Sequence, residues 1–168
     1  VEPWLADSWS ASEDGRAFTL KLHPGVTFSD GQPLTADDVV FSFQAVYALG
    51  PEGPLGDALQ VEGRKLEVTA VDASTVSMVF PVTYAPGVRI LDNLPIYPRH
   101  RLEAALRAGK IHDAWGLSTP PSELAGLGPF VLADYVPGQR LVFDRNPRYF
   151  RKAADGTALP YLDRMTVE

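Results

Sequence analysis

The hydrophobic positions change period several times along the chain, and each change marks an element. In WSASEDGRAFTLKL (9–22), Phe18, Leu20 and Leu22 alternate with Thr19 and Lys21, the period-2 pattern of a half-buried strand. Glu13-Asp14-Gly15 supplies a turn whose glycine can take positive φ, so the stretch predicts a β-hairpin. Pro24-Gly25 ends it, Val26 to Phe28 read as a short extended piece, and Asp30-Gly31 is a second turn. The period then lengthens. Val39, Val40, Phe43, Val46 and Tyr47 form a stripe, widened by Phe41 and Leu49, that predicts a helix from about Ala36 to Leu49, covered on most sides. Thr35 is its N-cap, Asp38 completes a T-x-x-D box, and Leu34 and Val39 can staple the first turn. Asp37 and Asp38 suit the positive end of the helix dipole, and Gly50-Pro51 stops the helix.

Beyond a Gly/Pro-rich loop at 50–64, two strands are expected at 66–71 and 75–80, turning at Asp72-Ala73-Ser74. A short helix around 86–91 leads into LPIYPRH, extended around its prolines, and residues 99–108 read as a helix ending at Gly109. A polar, Pro-rich connection at 116–125 precedes a hairpin of 130–136 and 140–145 around Pro137-Gly138. ADGTALPYLDRMTVE reads as a loop and the start of another strand. Strands outnumber helices and come as hairpins, which predicts an α+β fold, a hairpin-rich mixed sheet with a few short helices.

Composition narrows the function classes. The 168 residues carry 15 prolines and 14 glycines, as many short elements joined by tight turns require. The net charge of −6, with no Lys/Arg stripe, argues against nucleic acid and anionic membranes as partners. The absence of cysteine excludes thiol catalysis, Cys-ligated zinc and disulfides, and leaves the compartment open. No apolar run reaches the roughly 20 residues of a membrane span. VEPWLADSW has neither an initiator Met nor the build of a signal peptide, so the chain is expected to be a processed or excised piece.

Chemistry-bearing patterns are sparse. FSDGQPLTADDVVFSF holds Asp30, Asp37 and Asp38, but a calcium loop would need different spacing, and turn and cap explain all three. His23, His100 and His112 lack zinc-motif spacing, and no Ser lies in G-x-S-x-G. Gly126-Leu127-Gly128 is followed by Pro129 and a strand, so it reads as a turn and not a phosphate loop. No cofactor, metal or catalytic group is therefore expected. Trp4, Trp9, Tyr47, Tyr84, Tyr97 and Trp115 are candidates for the walls of an apolar ligand cleft, with core packing the alternative for each.

LADSWSASEDGRAFTLKLHPGVTFSDGQPLTADDVVFSF closely resembles the family 5 extracellular solute-binding proteins, the oligopeptide, dipeptide and nickel receptors of ABC importers. Leu5, Ala6, Ser8, Trp9, Gly25, Val26, Phe28, Asp30, Gly31, Pro33, Thr35, Ala36, Asp38 and Val39 fill the family's positions. GLGPFVLADYVPGQRLVFDRNPRYF is similar to its G-T-G-P-Y segment, hairpin and R-N-P-x-Y ending, with Leu127 for the usual Thr and Phe130 for Tyr. LPIYPRH and PYLDRMTV fit the segments between and after.

The resemblance implies a periplasmic-binding-protein type II fold, with residues 1–168 as a single internal segment of the larger N-terminal lobe. It implies an extracytoplasmic receptor, membrane-associated in the intact protein, that captures a peptide or related solute for a membrane permease without catalysis. Nickel chelates or sugars are alternative solutes on the same scaffold; a hydrolase built on Asp30 and Asp38, or an interaction module complete at this length, are alternatives of other kinds. Tyr47, Tyr84 and Arg89, together with the loop at about 48–61, are the ligand-binding candidates it suggests. Cutting such a piece from the rest of the receptor is expected to expose apolar surface near Tyr47 or the final strand.

Overall fold

Alternation builds the first sheet. β1 (Ala6–Ala11) and β2 (Ala17–Leu22) pair antiparallel, and β2 buries Phe18 and Leu20 while Thr19 and Lys21 stay exposed. β5 (Glu67–Asp72) and β6 (Thr75–Val79) form a second hairpin, and β6 lies beside β2, giving the order β1-β2-β6-β5. The register sets Phe18 opposite Met78 and Leu20 opposite Val76, so four buried side chains meet on one face. A computed structural model describes residues 4–50 and 55–168. The chain divides into two compact units, Val1–Pro24 with Thr35–His112, and Gly25–Leu34 with Asp113–Glu168.

In the first unit α1 (Ala36–Leu49) packs on the sheet, with Val39, Phe43 and Val46 in the same apolar cluster as Phe18 and Met78. Phe41 and Ala45 are also buried, so the helix is covered on several sides, as its composition requires. Its polar buried residues, Asp38 and Ser42, fasten it to the approach to α2 (Arg99–Arg107). Asp38 Oδ2 accepts hydrogen bonds from the Thr35 N–H and the Thr35 hydroxyl, both at 2.9 Å. Its Oδ1 accepts the Arg99 N–H at 2.9 Å. The Ser42 hydroxyl donates to the Asp38 carbonyl at 2.6 Å and accepts the Tyr97 N–H at 2.8 Å. α2 has Arg99 and Arg101 in its first turn and no acid there, two cations at the positive end of the dipole. Asp37, 2.9 Å from the Arg99 guanidinium, and Asp38 bring the missing negative charge from α1.

The expected loop at 50–64 is partly ordered into a ladder. β3 (Gln60–Val61) and β4 (Arg64–Lys65) pair across Glu62-Gly63, where both residues have positive φ. Strands of two residues are too short to show a period, which is why the sequence pattern misses them. Residues 51–54 lie outside the described part of the chain. The short helix expected over 86–91 is a 3-10 turn, Gly87–Asn93.

In the second unit β7 (Phe130–Val136), β8 (Arg140–Arg145) and β9 (Arg164–Val167) form an antiparallel sheet in that order. Asn146, almost fully buried, donates to the Gly128 carbonyl at 2.8 Å, while its own carbonyl Oδ1 accepts the Arg148 N–H at 3.0 Å. Ser29 N–H donates to the Gly126 carbonyl at 2.9 Å, and the Gly126 N–H returns to the Ser29 hydroxyl at 3.2 Å. Gly31, at φ +91, lies under the Arg148 guanidinium, 3.3 Å from where a Cβ would project. Residues 25–34 of the first family-like motif thus meet the second motif within one unit. The α+β class holds, and the strand pairs of the named sheets are antiparallel: turns of two to five residues close β1–β2, β5–β6 and β7–β8, whereas β2–β6 and β8–β9 join strands farther apart in the chain.

Two predictions follow from these bonds. Asp38→Ala strips the shared cap from two helices and leaves the Thr35 and Arg99 amides without their acceptor, so it should cost about 3 kcal/mol by urea unfolding. Asp37→Ala, which breaks only an exposed ion pair, should cost under about 1 kcal/mol. The second concerns pH. The Ser12 hydroxyl and Arg16 N–H hold the Asp14 carboxyl below its ordinary range; the Ser74 N–H does so for Asp72, Arg99 for Glu103, Arg164 for Asp144 and the Thr157 N–H for Asp155. Each folded pKa is depressed, so the stabilisation is complete above the unfolded values, near 4, and is lost as pH falls through the folded ones. Thermal midpoints should be flat from about pH 7 to 5 and decline steadily below about pH 4.

Candidate functional site

Tyr84 and Arg89 lie on one short segment that leaves β6 and enters the 3-10 turn. Phe80, just past β6, is fully buried; Phe18 meets its ring edge-on at 5.4 Å and 74°, and Tyr84 stacks on it at 5.1 Å and 19°. The Gly87 N–H donates to the Tyr84 carbonyl at 2.9 Å, and the Arg89 N–H to the Pro86 carbonyl at 3.2 Å. Thr83 ties the segment to the β1–β2 turn, its hydroxyl donating to the Asp14 carbonyl at 2.8 Å. Val88 and Ile90 are buried on either side of Arg89, which is exposed, while Tyr84 is half-buried. A cation and an aromatic ring are therefore presented on a fixed backbone, the arrangement by which loops on rigid scaffolds carry recognition.

Tyr47 sits elsewhere on the same core. Its hydroxyl donates to the Leu59 carbonyl at 2.8 Å and accepts the Leu66 N–H at 3.1 Å, bridging the two ends of the β3–β4 ladder. Phe43 packs against its ring at 5.9 Å, and the Lys65 ammonium lies 5.0 Å from its centroid. Burial raises the Tyr47 hydroxyl above its ordinary pKa against the opposing Leu66 N–H, so it is a neutral donor at physiological pH. The structure brings Tyr84 and Arg89 together; Tyr47 shares with them only the core against which it and Tyr84 pack. Tyr97, whose pKa burial also raises, and Trp9 border that core too, whereas Trp4 is half exposed and Trp115 adopts a left-handed backbone at φ +55.

The acids of the hydrolase alternative are engaged structurally. Asp38 caps α1 and α2, and Asp30 Oδ1 accepts the Gln32 N–H at 3.2 Å inside its turn. Among the described residues no group of three His, Asp or Glu is placed to hold a metal ion, and no helix is long and apolar enough to cross a membrane. Gly126 and Gly128 bond to Ser29 and Asn146, as their reading as a turn requires. What the sequence could not reveal is Gly87, whose place under Phe18 depends on a contact between residues far apart in the chain.

Comparison with known proteins agrees with this architecture. The chain is 34% identical over 152 residues to the "Probable D,D-dipeptide-binding periplasmic protein DdpA" of Escherichia coli, covering 89% of this chain and 27% of that protein. It is 30% identical over 181 residues to the periplasmic alpha-galactoside-binding protein of Rhizobium meliloti, covering 97% of this chain and 25% of the relative. The ABC transporter substrate binding protein CtaP of Listeria monocytogenes superposes with a TM-score of 0.77 at 28% identity, over 98% of this chain and 31% of that structure. The chain thus spans between a quarter and a third of the length of these relatives. Residues 1–168 match the family described as "Bacterial extracellular solute-binding proteins, family 5 Middle". The chain belongs to the family 5 bacterial extracellular solute-binding proteins.

Proposed function

We propose that these 168 residues are one segment of the larger N-terminal lobe of a two-lobed receptor, the substrate-binding component of an ABC importer. The receptor captures short peptides outside the cytoplasmic membrane, is held at that membrane, and delivers its solute to a permease without catalysing a reaction. The observation that carries this reading is the family match over the whole chain, since the family consists of substrate-binding proteins. Peptide is favoured as the solute because the dipeptide-binding relative is the more similar of the two compared. The galactoside-binding relative keeps a sugar as the second reading, and a nickel chelate is the third. Tyr84 and Arg89 contribute to the ligand wall, and Tyr47 supports the loop beside it. Lobe closure then stores the solute, a population shift driven by contacts that exist only in the closed state.

Thermal unfolding of the full-length protein with a mixed pool of short peptides should show a dose-dependent rise in midpoint, because ligand bound only to the folded form must raise it. A flat response to peptides with a rise on an α-galactoside or a nickel chelate would move the reading to that solute. Arg89→Ala should weaken peptide binding about tenfold by calorimetric titration while changing the midpoint little; Tyr84→Ala should weaken it similarly and also lower the midpoint, because its ring stacks on Phe80. Tyr47→Phe should do the reverse, lowering stability by about 1 kcal/mol with affinity nearly unchanged, because its hydroxyl is committed to Leu59 and Leu66.

A further inference from the structure

Gly87 is buried at φ +54, and a Cβ placed on it would lie 2.9 Å from Phe18 Cζ and 3.0 Å from Cε1. Real Cβ atoms do not approach so closely, so either the turn or the Phe18 ring would have to move. Phe18 is not free to move. It is 9% exposed, paired with Met78 across the β2–β6 ladder, and set edge-on against Phe80. Phe80 is fully buried and carries Tyr84 on its face. A push on Phe18 therefore reaches Tyr84 through two ring contacts, and reaches it a second time through the Gly87 N–H bond to the Tyr84 carbonyl. Close-packed interiors transmit such displacements because no void absorbs them.

We propose that Gly87 is a positioning residue of the receptor: its missing side chain lets the Phe18–Phe80–Tyr84 ladder close, and so fixes the Tyr84 ring and the Arg89 turn as one preformed piece of the ligand wall. This rests on the receptor reading above. Preformed geometry raises affinity by removing the ordering cost of the loop at binding. The turn's position depends on Gly87, whereas its chemistry comes from Tyr84 and Arg89.

The test uses the full-length protein and the peptide of the mixed pool that raises its midpoint most. Gly87→Ala should weaken binding of that peptide about tenfold. Phe18→Leu, which removes the first ring of the ladder, should weaken binding similarly, and the double variant should bind no worse than Gly87→Ala alone, because the new Cβ then has no ring to strike. Val76→Ala, a core truncation beside Leu20 that lowers the midpoint comparably, should leave affinity within about twofold, since it does not touch the ladder. Without ligand, hydrogen exchange at the Gly87 and Arg89 amides should quicken in Gly87→Ala relative to wild type, and no further in the double variant. Unchanged exchange in Gly87→Ala, or quickened exchange with wild-type affinity, would overturn the proposal. A wild-type protein that binds no peptide of the pool would defeat the peptide reading alone, because the ligand-free exchange comparison still decides whether Gly87 holds the turn.

Discussion

The first unit is organised around one carboxylate. Asp38 is 5% exposed, and burying an ionised group is tolerable only when its oxygens are fully engaged. Here Oδ2 receives the amide and hydroxyl of Thr35, and Oδ1 receives the amide of Arg99. Two helix N-termini thus converge on a single side chain, and each brings partial positive charge. An amide in its place would turn an NH2 toward one of those donors. The carboxylate is the side chain that can accept from both sides at once, and it does so above a core it does not otherwise touch chemically. Ser42, one turn on, repeats the device by holding the Tyr97 amide. The approach to α2 follows α1 because these two side chains pin it there.

Sequence pattern resolved what depends on neighbours in the chain. The bounds of α1 agree because the capping box, the first-turn acids and the Gly50 C-cap all act within a turn of the helix ends. The hairpin of β7 and β8 agrees because Pro137-Gly138 fixes the reversal and alternation fixes the strands. What pattern did not carry is long-range. Nothing in the residues of β2 says that β6, more than fifty positions later, is its partner rather than β5. The bond from Asp38 to Arg99 spans 61 positions; Asp38 was legible as a cap for its own helix but not for the next one. The same limit hid the β3–β4 ladder, whose order derives from the Tyr47 hydroxyl reaching Leu59 and Leu66 and not from any periodicity of its own.

The candidate site was legible only as residue types. Tyr84 and Arg89 are five positions apart, so a shared turn could be guessed, but the stack of Tyr84 on Phe80 and the fit of Gly87 beneath Phe18 require the folded sheet. Tyr47 shows what residue type leaves open. An aromatic near a loop suggests a binding wall, and the fold adds that its hydroxyl makes its bonds to Leu59 and Leu66. The division of the chain into two units was also not read from the sequence, because residues 25–34 join their unit through bonds such as Ser29 to Gly126, 97 positions apart.

Hydrogen-bond supply separates scaffold from site in this chain. The polar side chains within its most recognisable motifs are already engaged: Asp38 by two helix starts, Ser29 by Gly126, and Asn146 by Gly128 and Arg148. A side chain so committed offers a solute little without first losing a bond, and losing one in a buried setting costs more than an exposed contact returns. Under the proposed function, choice of solute falls to groups whose bonds within the protein hold only the backbone in place. On the first unit the turn carrying Tyr84 and Arg89 has that character: the Gly87 and Arg89 amides donate to the Tyr84 and Pro86 carbonyls and Thr83 holds the β1–β2 turn, while the Arg89 side chain is exposed and the Tyr84 ring half-buried.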